Sequence, residues 1–360
     1  MMEQLAIHRR EKSFSDRWIA YCDMHGIPYK VVNCLDSGII DQLTFAGCLL
    51  WHWNHGDPRE QLTARSVLTA AEAMGVKVFP NHSTCWHFDD KIAQKYLLEA
   101  IGAPLVPTHV FYDLKEALRW IDRASFPKVF KLRRGAGSSN VKLVHNESQA
   151  KELINRAFST GFSPIPHYGQ DAVKRYRAAR GRGDLLNVVK RIPQVLATIR
   201  GNNKLMGREI GYAYFQDFIA NNNFDTRVTI IGDRAFAFTR NVRAGDFRAS
   251  GSGDIVYDID RINHKCLEIA FDVTRKVGSQ SMAFDFVLGE RQEPFILEMS
   301  YGFASQAVYS CPGYWDRRLQ WHEGHVWPQD AILIDLLNVA YPSEQYRIQP
   351  DVVPSVISKP

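Results

Sequence analysis

Residues 283–300 read AFDFVLGERQEPFILEMS, two apolar runs on either side of a polar turn. In the first run Phe284, Phe286 and Leu288 alternate with Ala283, Asp285 and Val287. In the second, Phe295, Leu297 and Met299 alternate with Ile296, Glu298 and Ser300. Period-two alternation is the pattern of a half-buried strand. Residues 289–293 supply the turn, and Pro294 opens a strand, where a missing N–H is tolerated. A symmetric hairpin sets Asp285 opposite Glu298, with Ser300 on the same face. Opposed carboxylates repel unless something positive lies between them. Asp, Glu and Ser oxygens are the hard donors that suit Mg²⁺. The residues alone leave a second reading open, in which another register sends one carboxylate to solvent.

A chain of 360 residues has room for two or three domains with a real core. Its 44 Lys and Arg against 39 Asp and Glu give a formal charge of +5. That balance weakly favours anionic ligands and does not by itself indicate nucleic acid. The 6 Cys residues form no CxxC pair and no zinc spacing, and read as reduced, mostly buried thiols of a cytoplasmic protein. The opening MMEQLAIHRREK is charged and lacks the apolar stretch of a signal peptide. No run of about 18 apolar residues exists to span a membrane.

Residues 1–88 alternate strands (5–8, 29–33, 47–52, 76–79) with helices (15–25, 58–74), which predicts a mainly parallel sheet. No GxGxxG follows the first strand, so a dinucleotide site is poorly supported. His52, His55, His82 and His87 read as surface or loop histidines. Asp89 or Asp90 caps a helix over 92–101 and puts Lys91 in its first turn. A lysine there opposes the helix dipole unless an anion shares the site; a solvated lysine is the plainer reading.

Residues 126–144, FPKVFKLRRGAGSSNVKLV, predict a strand, a Gly/Ser loop and a returning strand. Gly135 and Gly137 permit close backbone approach. Loop N–H groups, with the Ser138 and Ser139 hydroxyls, can cradle phosphate oxygens beside Lys131, Arg133 and Arg134. Residues 161–207 are basic and helical, including Lys174, Arg175, Arg177, Arg180, Arg182, Lys190, Arg191 and Arg200. They lack the aromatic interleaving of a single-strand nucleic-acid platform. A solvated insertion and a surface for an anionic substrate both fit. Strands over 224–231 and 234–240 pair around Gly232-Asp233. Asp225 then faces Arg240, with Arg227 on the same side, and Arg248 sits in a small-residue loop that follows.

Taken in order, DDK (89–91), QKYLLEAIGAPLVPT (94–108), VFKLRRGAGSSNVKLV (129–144), FQDFIANNNFDTRV (215–228), GDFRASGSG (245–253), AFDFVL (283–288) and ILEMS (296–300) resemble the ATP-grasp superfamily. Within it the chain is most similar to RimK-like and glutathione-synthetase-like carboxylate–amine ligases, and to ATP-grasp proteins of surface-polysaccharide synthesis. The resemblance covers roughly residues 89–300. It implies an α/β fold: an N-terminal parallel α/β pre-ATP-grasp domain (1–88), then a two-subdomain ATP-grasp module (89–345, divided near 215/216), then a tail (346–360).

The resemblance also implies roles. Lys91 and Lys131 correspond to the lysines that hold ATP phosphates, and 133–140, with Arg133, Gly135, Gly137, Ser138 and Ser139, to the loop that closes over them. Gln216, Asp217, Phe218 and Ile219 occupy the linker that reads adenine, and Asp225 or Asn223 is placed to meet ribose. Asp285 and Glu298 correspond to carboxylates for two Mg²⁺ ions, with Mn²⁺ an alternative. Arg227, Arg240 and Arg248 fall where phosphate or an acylphosphate is met. Ser300 departs from the usual Glu-x-Asn ending and implies a weaker ligand. The expected reaction is ATP-dependent amide formation from a carboxylate and an amine, either of them a small molecule or linked to a nucleotide sugar. A phosphotransferase acting on a hydroxyl and a non-catalytic ATP-binding protein are the alternatives. Dimers are common among such proteins, so a homodimer is one assembly the resemblance allows.

Overall fold

The structure, a computed structural model, describes residues 4–135, 140–163, 207–243, 246–249 and 253–337. Three sheets organise the chain. Near the N-terminus, β1 (Leu5–His8), β2 (Tyr29–Val32), β3 (Cys48–Leu50) and β4 (Lys77–Phe79) form a parallel sheet in the order β2-β1-β3-β4. Leu5, Ala6, Ile7, Cys48, Leu49 and Leu50 are fully buried, as strands covered on both faces require. The helix Pro58–Ala73 covers this sheet with Ala64, Leu68 and Ala71. It starts where the Asp57 side chain accepts the Arg59 N–H and Pro58 presets the first turn. The parallel arrangement is the one the strand–helix alternation predicts.

A second sheet is antiparallel and contains β5 (Thr108–Phe111), β6 (Lys128–Lys131), β7 (Val141–Val144) and β8 (Ala213–Asp217) in the order β5-β8-β6-β7. The helices Leu114–Ile121 and Glu147–Phe158 close one face, packing Ile121 and Ile154 over Phe130 and Phe215. The third sheet has seven strands. These are β9 (Phe224–Ile231), β10 (Arg234–Asn241), β11 (Ile255–Val256), β12 (Ser281–Leu288), β13 (Pro294–Ser300), β14 (Gly313–Trp315) and β15 (Trp321–Glu323). Its order is β13-β12-β9-β10-β14-β15, with β11 beside β10. The helix His264–Val277 packs Cys266, Leu267, Ala270 and Val273 under it and ends at Gly278 in the left-handed region.

The opening hairpin is β12–β13, and Asp285 pairs with Glu298 as the symmetric reading predicts. Phe286 pairs with Ile296, so one extra residue, Leu297, bulges from β13. The strict alternation expected for β13 is therefore broken. Leu297 and Glu298 both line one cleft, while Ile296 and Met299 are buried. β12 is also more enclosed than half-buried: seven of its eight residues, Ser281 to Val287, are buried, because β9 and β13 flank it and the core covers Phe284 and Phe286.

The sequence 161–207 lies mostly outside the described residues, as do Gly137, Ser138 and Ser139 and the tail 346–360. At the base of that stretch Phe162 and Glu209 exchange backbone hydrogen bonds at 2.9 Å. His87 proves fully buried rather than a surface histidine. Among the described residues no helix is long and apolar enough to cross a membrane.

Candidate nucleotide site

A cleft of about 410 Å³ lies between the second and third sheets. One part of its wall is apolar and amide-rich: Val129, Val141, Phe218, Ile219, Val287 and Leu297, with Asn221, Asn222 and Asn223. Another part is charged: Lys91, Lys131, Asp285, Glu298 and Arg248. Asn222 holds its turn against the hairpin. Its amide donates to Leu288 O at 3.0 Å and its carbonyl accepts the Leu288 N–H at 2.9 Å.

Lys91 opens the helix Lys91–Ala100. Asp90 caps that helix by accepting the Ile92 and Ala93 N–H groups. The lysine is buried rather than solvated. Its Nζ donates to Gly135 O at 2.7 Å and lies 3.8 Å from Glu298. Lys131 is 6% exposed, and its Nζ donates to Gln216 Oε1 at 2.5 Å. Burial pulls the Lys131 ammonium down to about 8, with Glu298 and Asp285 opposing the shift and Lys91 adding to it. Gln216 in turn donates to Thr108 Oγ1 at 3.0 Å, so the side chain expected only as a backbone neighbour of adenine aims Lys131. Asp217 lines the cleft and accepts from Lys128 Nζ at 2.6 Å. Gly135 lines it with its N–H fixed on Asp89 Oδ1 at 2.8 Å.

Each of the three expected arginines is engaged by a carboxylate. Arg240 is buried and donates to both oxygens of Asp225, at 2.8 and 2.5 Å, and lies 2.9 Å from Asp285. Arg227 donates to both oxygens of Asp285, at 2.6 and 2.7 Å. Neither arginine lines the cleft; each is captured behind it by a carboxylate, through the bidentate fit of guanidinium to carboxylate. Arg248 does line the cleft, with its guanidinium on Asp246 at 2.7 Å. Asp225 reaches the cleft wall, but Arg240 engages both its oxygens; Asn223 lines the cleft beside it. Arg133 is absent from the lining and pairs with Asp90 at 3.4 Å.

Of the three expected metal donors, Glu298 is the one with its carboxylate open. Its side chain is 32% exposed and accepts no hydrogen bond among the described residues. Asp285 is 2% exposed. Burial alone would raise its carboxyl, but Arg227 and Arg240 outweigh burial and hold it below the usual carboxylate range. Ser300 is not in the lining: its hydroxyl donates to Gly302 O at 2.9 Å and accepts the Gly302 N–H at 3.1 Å. No cluster of three His, Cys, Asp or Glu side chains forms a metal cage among the described residues.

Sequence reasoning missed the Asn221 and Asn222 side chains and Phe247 as wall residues, and Asp246 as the partner of Arg248. It missed Glu209 and Tyr212, which contact Arg133 and Arg134. An Asn run after an apolar strand was the one available signal for the first group.

No family model matches the chain, and no curated protein matches its sequence. Solved structures do resemble it. The N5-carboxyaminoimidazole ribonucleotide synthetase of Thermotoga maritima superposes with a TM-score of 0.58 at 14% identity, covering 96% of this chain and 78% of that one. A RimK domain ATP-grasp protein of Sphaerobacter thermophilus gives 0.55 at 13%, covering 92% and 98%. The biotin carboxylase domain of Hydrogenobacter thermophilus 2-oxoglutarate carboxylase, solved with MgADP, gives 0.55 at 13%, covering 93% and 69%. Three sheets in this order, with a cleft between the second and third and this set of likenesses, identify the architecture: the chain has the ATP-grasp fold.

Proposed function

We propose that the protein is an ATP-dependent ligase that joins a carboxylate to an amine through an acylphosphate. The observation that carries this reading is the cleft. An apolar, amide-rich wall suited to adenine is continuous with two buried lysines and an open carboxylate suited to a metal-bound triphosphate. The MgADP bound to the biotin carboxylase domain supports the same ligand class.

Lys91 and Lys131 hold phosphate oxygens, and each exchanges a protein carbonyl partner, Gly135 O or Gln216 Oε1, for phosphate. Gly135, at the cleft wall, borders the phosphates with its backbone. A substrate carboxylate oxygen attacks the γ-phosphorus, the bond to the bridging oxygen breaks, and ADP leaves. An amine nitrogen then attacks the acyl carbon. Phosphate departs with the electron pair of the C–O bond, and the amine loses a proton. Arg248, at the cleft wall, is the arginine placed to meet charge on the intermediate. Arg227 and Arg240 act one layer behind, by fixing Asp285 and Asp225.

The donor set fits one hard cation, held by Glu298 together with nucleotide phosphates, better than two. Bound Mg²⁺ or Mn²⁺ supplies positive charge to the phosphoryl oxygens. The finer reading, an amino acid joined to a sugar-linked partner in surface-polysaccharide synthesis, rests on the sequence resemblance. The engagement of Asp285 and Ser300 favours a second reading, a nucleotide-binding protein without turnover.

Mg²⁺-dependent ADP release across pooled carboxylates and amines tests the proposal. Release that needs one compound from each pool, and is lost in Glu298→Gln, is the expected result. Release with an alcohol alone would make the protein a phosphotransferase. Tight ATP binding with no ADP from any pool would favour the second reading.

A further inference from the structure

The loop that opens at Arg133 is held from outside the cleft by two buried side chains. Tyr212 accepts the Arg133 backbone N–H at 2.7 Å and donates its hydroxyl proton to Glu209 Oε2 at 2.7 Å. Glu209 is 3% exposed. Its Oε1 lies 2.8 Å from Arg134 Nε, and its Oε2 lies 3.6 Å from Arg133 Nε. A carboxylate so enclosed is costly unless charge and hydrogen bonds compensate it. Here the compensation comes from the first two residues of the Gly/Ser loop and from the tyrosine that grips that loop's backbone. The main chain of Glu209 is pinned independently, by paired hydrogen bonds with Phe162 at 2.9 Å. One end of the relay is therefore anchored in the scaffold. The other ends at Arg133, two residues before Gly135, whose carbonyl and N–H are set by Lys91 and Asp89.

We propose that Tyr212 and Glu209 are positioning residues for the phosphate end of the nucleotide site, acting through Arg133 and Arg134 on the loop; the proposal rests on the nucleotide-binding reading given above. Neither side chain lines the cleft. Their effect is therefore on ligands that carry phosphates and not on the adenine end. The geometry also separates the two roles. The tyrosine hydroxyl orients the backbone, because it accepts from an N–H and must donate onward. The glutamate holds two neighbouring cations apart from the phosphates until ligand arrives.

Binding of ATP, ADP and adenosine to the full-length protein, measured by calorimetry for wild type, Tyr212→Phe and Glu209→Gln, tests this. Both variants keep side-chain size, and thermal melting establishes that each is folded. The expected result is that Tyr212→Phe weakens ATP and ADP by about tenfold, the effect of losing one well-placed hydrogen bond in each direction, and leaves adenosine within twofold. Glu209→Gln shifts ATP with adenosine unchanged, and makes the ATP affinity more salt-dependent as the two guanidiniums are released. Equal weakening of adenosine and ATP would mean general structural damage and would overturn the proposal, as would unchanged ATP affinity in both folded variants. A wild type that binds adenosine but not ATP, or neither, would instead overturn the nucleotide reading beneath it.

Discussion

Arg227 and Asp285 face each other across the β9–β12 ladder and are joined by two hydrogen bonds, at 2.6 and 2.7 Å. Arg240 reaches the same carboxylate at 2.9 Å and binds Asp225 through two of its nitrogens, Nε and Nη2. Four charged groups thus alternate in sign along three adjacent strands. The network resolves the problem of burying Asp285, because two guanidiniums replace the water it loses. It also makes the carboxylate hard to remove. Asp285→Ala strands two arginines and is expected to cost about 3–5 kcal/mol. Arg227→Met leaves Arg240 in place and is expected to cost less, about 1–3 kcal/mol. Equilibrium denaturation of the two variants checks the order. Equal costs would mean that Arg240 does not share the load.

Lys131 gives a prediction in pH. Its ammonium is pulled down to about 8 by burial from an ordinary value of 10.5. Phosphate binds the charged form, so ATP affinity is expected to be level below about pH 8 and to fall by about tenfold per unit above it. Lys131→Met removes the charge. It is expected to abolish that pH dependence and to weaken ATP by about 10–100-fold, the range for a charge-assisted hydrogen bond. Stability of the ligand-free protein runs the other way. Between the two values the unfolded chain holds more protons than the folded one, so stability rises with pH across that window. ATP titrations from pH 7 to 10 on both proteins check the prediction, and a midpoint near 10.5 would contradict it.

The hairpin at 283–300 shows how far sequence patterning reaches. Alternation placed Asp285 opposite Glu298, and the Asp225–Arg240 pairing was legible in the same way, from a Gly-Asp turn between two regular strands. What alternation could not show is the bulge at Leu297. A bulge adds one residue without a compositional mark, yet it turns Leu297 and Glu298 together into the cleft. Of the three arginines, Arg248 lines the cleft and Arg227 and Arg240 do not, since strand registers fix which face a side chain occupies and not whether a buried Asp captures it first. Glu209 and Tyr212 were illegible because their partners, Arg133 and Arg134, lie more than seventy residues away. The short strands β14 and β15, too brief for a period, were missed for want of pattern.

Glu298 is the open carboxylate, and Asp285 is not. Glu298→Gln is therefore expected to lower Mn²⁺ affinity in the presence of ADP by at least about tenfold, with metal-free ADP binding unchanged or slightly tighter, since a negative charge near the phosphates is gone. Mn²⁺ titration followed by electron paramagnetic resonance reads this directly. It also counts the ions: one bound Mn²⁺ per chain is expected, and two equally tight ions would mean that Asp285 releases its arginines to bind metal.

The turn after Glu298 ties the metal side of the cleft to Lys91. A methyl group at Gly302 would lie 2.8 and 2.9 Å from two atoms of the Phe88 ring, closer than such contacts allow. Phe88 has little room to yield, since its ring packs against Trp53 at 4.7 Å and Tyr301 at 4.4 Å between centroids. It also stands three residues before Lys91. Gly302→Ala is therefore expected to destabilise the fold by about 1–3 kcal/mol, the usual range for overpacking a tight site, and to weaken ATP as Lys91 is displaced from Gly135. The clash has a specific remedy. Phe88→Leu creates space and is destabilising alone, but in the Gly302→Ala background it is expected to restore part of both stability and ATP affinity. A double-mutant cycle then gives a coupling energy whose sign opposes both single effects. Additive losses would show that the cost of the added methyl group does not come from its contact with Phe88.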